Sequence, residues 1–87
     1  MNFVAIIGIV QEIKQEDKSS VELKVKVEKP FYKEDEQWYD VLSVKLDKEL
    51  FEEDLKTLTE GMIVGVKGRI NPLKASTNII CERLQSF

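Results

Sequence analysis

Two pairs of aromatic residues, Phe31-Tyr32 and Trp38-Tyr39, bracket a charged run in the segment KPFYKEDEQWYD. Rings concentrated in a loop make a stacking surface, and each base stacked on such a ring contributes about 1–3 kcal/mol. Cations stand at alternate positions elsewhere: Lys24 and Lys26 in VELKVKVEK, Lys67 and Arg69 in VKGRI. Rings beside a basic groove are what a nucleic-acid strand requires, because phosphate neutralisation supplies most of the non-specific affinity. Glu34, Asp35 and Glu36, between the two ring pairs, would repel that same ligand.

Other chemistry is poorly provided for. Cys81 is the only cysteine and there is no histidine. A disulfide framework, a zinc cluster and a Ser-His or Cys-His pair within one subunit are therefore excluded. No catalytic residue, metal or cofactor is expected, and the chain does not read as an enzyme. The start, MNFVAIIGIVQEIK, is apolar, but no basic residue precedes the run and no small-residue cleavage site follows it. It is also too short to span a bilayer. The expected setting is the cytoplasm, with no membrane partner.

The elements that would position these residues fit one domain over residues 1–87, since a chain of this size buries only roughly 60–65% of its unfolded surface. Hydrophobic residues at 43% and charged residues at 33% are those of a folded globular chain. The net charge of −3 is unevenly spread. Residues 47–60 hold six acids against Lys48 and Lys56, whereas residues 61–87 set Lys67, Arg69, Lys74 and Arg83 against Glu82 alone. The distribution, rather than the sum, bears on a polyanionic ligand.

The period of the apolar residues predicts the order β-β-β-α-β-β. Asn2 to Lys14 alternates Phe3, Ala5, Ile7, Ile9 and Ile13 with Val4, Ile6 and Val10, a strand expected to be buried on both sides with a bulge or bend at Gly8. A second strand sets Val21, Leu23, Val25 and Val27 against Glu22, Lys24, Lys26 and Glu28. Pro30 ends it. A third places Trp38, Leu42, Val44 and Leu46 on one side and Tyr39, Val41, Ser43 and Lys45 on the other. Phe51, Leu55 and Leu58, helped by Leu50, then make a helical stripe within residues 48–61, with Gly61 as its left-handed stop. In the fourth strand Val64, Val66 and Ile70 oppose Lys67 and Arg69; a turn around Pro72 leads to the last, TNIICERLQSF. Five short strands with a helix between the third and fourth is the layout of the OB-fold, a five-stranded Greek-key barrel that commonly binds oligonucleotides.

Particular residues resemble the bacterial single-stranded DNA-binding protein family. MNFVAIIGIV is similar to that family's first strand, with its glycine at Gly8; Gly61, Val64, Val66, Gly68, Arg69 and Ile70 match its glycine, Val-x-Val and Gly-Arg pattern; Glu82, Arg83 and Leu84 match its closing strand. The resemblance implies stacking of bases at Phe31 or Tyr32 and at Trp38, with little sequence preference. It also implies a nucleoid-associated role in replication, repair and recombination, and a homodimer or homotetramer through the first strand, Asn2 to Val10. The chain departs from the family in three places. Val44 stands where a further aromatic is usual, INPLKASTN is short and has no ring, and no acidic tail follows the last strand. Fewer platforms imply weaker binding or a shorter footprint. The short hairpin and the missing tail favour the alternative, a protein-docking module resembling the primosomal replication protein N branch.

Each feature also has a plainer reading. Trp38 shares its parity with Leu42 and Val44 and would then be a core residue. The lysines on strand faces would be solubilising, the acidic helix a solvated face, and Cys81 a small buried side chain. The functional reading takes Phe31, Tyr32, Trp38 and Tyr39 as stacking rings and Lys24, Lys26, Lys67 and Arg69 as backbone contacts, to DNA or to RNA. Glu34, Asp35 and Glu36 then form a solvated tip reaching past the groove.

Overall fold

β1 spans Val4–Gln15, β2 Ser20–Glu28, β3 Tyr39–Asp47, β4 Ile63–Ile70 and β5 Asn78–Ser86, with a short helix α1, Glu52–Thr57, between β3 and β4. The structure is a computed structural model and describes residues 2–71 and 78–87; the turn expected around Pro72 lies outside the described residues. The strands close into a barrel in the order β1-β2-β3-β5-β4. Neighbours run antiparallel except β3 and β5, which pair in parallel where Ser43–Lys45 meets Asn78–Ile80. Alternation of apolar and polar residues fills the inside: Val10, Leu23, Val25, Val44, Leu46, Val64 and Val66 are fully buried.

β1 is buried on one face, not two. Val4, Ile6, Gly8 and Val10 turn inward, while Phe3, Ala5, Ile7 and Ile9 are exposed. A barrel has a single interior, and none of the described residues covers the outward row. The bulge also lies away from Gly8. The register with β2 slips between Val10 and Glu12, making Gln11 the extra residue and turning Ile13 rather than Glu12 toward the core. Gly8 stands where β1 passes from pairing with β4 to pairing with β2. A Cβ there would run into the Lys26 carbonyl oxygen and lie 2.7 Å from Val25 Cγ1, so this corner needs a residue without a side chain.

A second bulge shapes β5. Lys67 faces Arg83 and Gly68 faces Cys81, which leaves Glu82 as the extra residue. Ile70, expected inside, is exposed at the rim. Beside it the Asn2 side chain continues the β1–β4 ladder: its Nδ2 donates to the Ile70 carbonyl at 2.6 Å, and the Ile70 N–H donates to its Oδ1 at 2.9 Å.

The helix is shorter than its periodicity predicts. The Asp47 carboxylate accepts the N–H groups of Glu49 and Leu50, holding residues 47–50 in a turn, and α1 begins only at Glu52. Phe51 and Leu58, at either end, are buried and Leu55 packs against the core, but Leu50 is exposed. Gly61 does have a positive φ of 91°. It lies beyond the cap residue Leu58, in the turn into β4, where its N–H donates to the Val10 carbonyl at 2.8 Å.

Cys81 is buried and its Sγ donates to the Arg83 carbonyl oxygen at 3.3 Å. Burial pushes the thiol up from 9.0 to about 11, the bond to Arg83 opposing the shift. Between those values the folded chain holds a proton that the unfolded chain has lost, so stability falls as pH rises through this window. Urea unfolding at about pH 8 and about pH 10 should show a larger drop in midpoint for the parent than for Cys81→Ala.

Candidate nucleic-acid interface

The β2–β3 hairpin gathers most of the predicted site. Its outward positions are Lys24 and Lys26 on β2 and Tyr39, Val41 and Ser43 on β3, with Lys24 opposite Ser43 and Lys26 opposite Val41. Lys24 Nζ donates to Ser43 Oγ at 3.0 Å and lies 3.7 Å from a Glu22 carboxylate oxygen. Lys26 Nζ sits 4.7 Å from the centroid of the Tyr39 ring, a diagonal cross-strand contact of cation–π type. Trp38 packs against the same tyrosine with ring centroids 4.7 Å apart and planes at 67°. Lys26, Tyr39 and Trp38 thus form one connected group.

Trp38 has the inward parity of β3, yet it is 42% exposed. It precedes the first residue of β3, and its carbonyl accepts the Lys29 N–H at 2.9 Å, one step past the last ladder pair. The hairpin there has run beyond the barrel rim, so inward parity no longer means burial. The plain core reading of Trp38 is overturned. Phe31, 88% exposed, and Tyr32 follow on the connecting loop, and a tight turn closes its tip, the Glu36 N–H donating to the Lys33 carbonyl at 2.9 Å. Glu34, Asp35 and Glu36 are all exposed around that turn.

Lys67 and Arg69 are elsewhere. Lys67 pairs with Ala5 of β1 on one side and Arg83 of β5 on the other, and Arg69 pairs with Ile80. Both belong to the outer β1–β4–β5 wall, separated from Lys24 and Lys26 by β1. The structure therefore divides the four cations into two pairs instead of one groove. Arg83, opposite Lys67, is a further outward cation, one not among the predicted backbone contacts. Strict alternation from Ile79 and Cys81 would turn it inward; only the bulge at Glu82 brings it out, and nothing in CERLQSF marks that bulge. Among the described residues, no group of three or more His, Cys, Asp or Glu side chains could hold a metal ion, and no helix is long and apolar enough to cross a membrane.

No family model matches the sequence, and no curated protein matches it. Solved structures do. The chain aligns over its whole length with the Stn1–Ten1 complex of S. pombe, at a TM-score of 0.77 and 17% identity, and spans 59% of that chain. The dimeric N-terminal domain of PriB from Thermoanaerobacter tencongensis matches 99% of this chain over 96% of its own, with a TM-score of 0.74 and 17% identity. The fold is the OB-fold. A small single-stranded DNA-binding protein from Streptomyces coelicolor shares it too, covering all of this chain and 95% of its own at a TM-score of 0.70 and 16% identity. At such identities the likeness establishes the OB-fold architecture, with its helix between the third and fourth strands, and leaves the chemistry to the residues described above.

Proposed function

We propose that this OB-fold binds single-stranded DNA, with RNA as a further ligand, on the outer face of the β2–β3 hairpin and with little sequence preference. The observation that carries the reading is one connected group on the outer face: Trp38 and Tyr39 in contact, Lys26 on the tyrosine ring, and Lys24 two residues away on the same face of β2. Phe31 and Tyr32 lie on the adjoining loop. Phe31, Tyr32 and Trp38 stack on bases; Lys24 and Lys26 meet phosphates. Tyr39 is half-buried and already carries Lys26 and Trp38, so it positions those two. The named relatives with this fold include a single-stranded DNA-binding protein, which supports the reading. Titrating oligo-dT at low salt should change Trp38 emission, and affinity should fall with salt at a log–log slope of about −1.4 for two phosphate contacts. An unchanged emission with no complex would sink the proposal.

The acidic tip opposes phosphate, so Glu34→Gln, Asp35→Asn and Glu36→Gln combined should tighten oligo-dT binding several-fold at low salt. Reduced affinity would mean that the tip itself touches the ligand. Exposed acids beside exposed rings also favour a second reading, a primosome-type docking module with weak strand binding. For that reading, a pull-down surviving nuclease treatment is the discriminating measurement.

The outward row of β1 is covered, in this proposal, by a second copy. Phe3 is 62% and Ile7 66% exposed, and rows of exposed apolar side chains mark protein contacts. Phe3→Glu with Ile9→Glu should yield a smaller species in sedimentation equilibrium; an unchanged mass would remove β1 as the contact.

A further inference from the structure

The outer β1–β4–β5 wall holds a shallow groove of about 610 Å³ among Ile7, Gly65 and Phe87, with Lys67 and Arg83 along its side. The Phe87 ring lies over Gly65 and is 66% exposed, and its backbone N–H donates to the Ile63 carbonyl at 2.9 Å, which anchors the main chain beside the groove. Lys67 and Arg83 stand directly opposite each other on neighbouring strands. Like charges in that position destabilise a sheet, and none of the ion pairs found among the described residues involves either of them. An apolar floor with two uncompensated cations calls for a partner that brings both apolar surface and negative charge.

This chain carries such a partner. The tip of the β2–β3 loop presents Phe31, 88% exposed, followed within five residues by Glu34, Asp35 and Glu36, all exposed. A turn closes the tip, the Glu36 N–H donating to the Lys33 carbonyl and the Lys33 N–H to the Glu36 carboxylate. We propose that the groove receives the 31–36 tip of a second copy, with Phe31 against Ile7 and Phe87 and the three acids facing Lys67 and Arg83. A single strand, bringing bases for the Phe87 ring and phosphates for the cations, is the rival occupant that the groove variant separates below. The tip and the groove are different surfaces, so copies either exchange tips about a two-fold axis or add head to tail into a chain or ring. Phe31 then serves either a base or a neighbouring copy, whereas Tyr32 and Trp38 stay with the strand. The contact gives a role to the acids between the ring pairs, for which strand binding alone has no use.

The test is a charge swap followed by sedimentation velocity over a concentration series at low salt, where such contacts are least screened. One variant carries Glu34→Lys and Glu36→Lys, the other Lys67→Glu and Arg83→Glu. All four positions are exposed, and circular dichroism checks that both variants fold. Each variant alone should show a self-association constant about tenfold weaker than the parent or worse. Mixed one to one they should recover, because each supplies the charge the other now needs. A tip variant that associates like the parent, or a mixture without recovery, overturns the proposal. So does a groove variant that loses oligo-dT affinity with self-association unchanged, since the cations would then be phosphate contacts. A pair formed along β1 would compete with the tip for Ile7, and association that neither variant weakens would identify that pair and overturn the tip contact.

Discussion

Gly68→Ala is expected to destabilise the barrel by about 3 kcal/mol or more. A Cβ at this position would collide with the Ile80 carbonyl oxygen and lie 3.2 Å from Cys81 Cα, and both neighbours are backbone. A flexible side chain could swing aside; a strand cannot without giving up its ladder. β4 and β5 would have to part where Gly68 faces Cys81 and Arg69 faces Ile80, opening the wall beside buried Val66 and Ile79. A chain of this length holds roughly 4–13 kcal/mol in total, so one methyl group removes a large share. Gly65→Ala is the internal control. Its Cβ would meet only the far end of the exposed Phe87 ring, at 3.3 Å, and the ring can move. That change should cost under about 1 kcal/mol. Urea unfolding followed by Trp38 fluorescence compares the two midpoints, and equal midpoints would contradict the bulged β4–β5 register.

That contrast shows where sequence reasoning reaches and where it stops. Alternation places Leu23, Val25, Val44, Leu46, Val64 and Val66 inside because a strand in a closed barrel has one wet and one dry face, and all six are buried. The order of elements follows from the same periods. Period two is blind to an inserted residue, however. Gln11 and Glu82 each shift the phase, so Ile13 turns in and Arg83 turns out against simple counting. Helix length departs from the periodicity for a related reason: Asp47 binds the N–H groups of residues that also suit a helix, and local side-chain bonding prevails there. Distances across the barrel are not legible in the sequence at all. Lys24, Lys26, Lys67 and Arg69 look equivalent as alternating cations, and only the strand order reveals that β1 lies between the two pairs.

Removing two exposed rings, Phe31→Ala with Trp38→Ala, is expected to weaken oligo-dT binding by at least about thirtyfold at low salt. Each stacked base contributes about 1–3 kcal/mol, and 1.4 kcal/mol corresponds to tenfold in affinity. The fold should survive, because Phe31 is 88% exposed and Trp38 lies beyond the barrel rim. With Trp38 gone, anisotropy of a labelled oligonucleotide replaces intrinsic emission as the readout. The salt dependence then separates the roles. Rings touch no phosphate, so the double variant should keep the parent's log–log slope while losing affinity. Lys26→Gln should do the reverse, flattening the slope by about 0.7 because one phosphate is no longer neutralised. Tyr39→Leu should resemble the lysine change, because the ring that holds Lys26 Nζ at 4.7 Å is also the one that Trp38 rests against. It should lose some affinity through Trp38 and some slope through Lys26. An unaltered affinity in the double variant would exclude Phe31 and Trp38 as stacking platforms, and a Tyr39→Leu protein with the parent's slope would show that Lys26 finds the phosphate without its aromatic support.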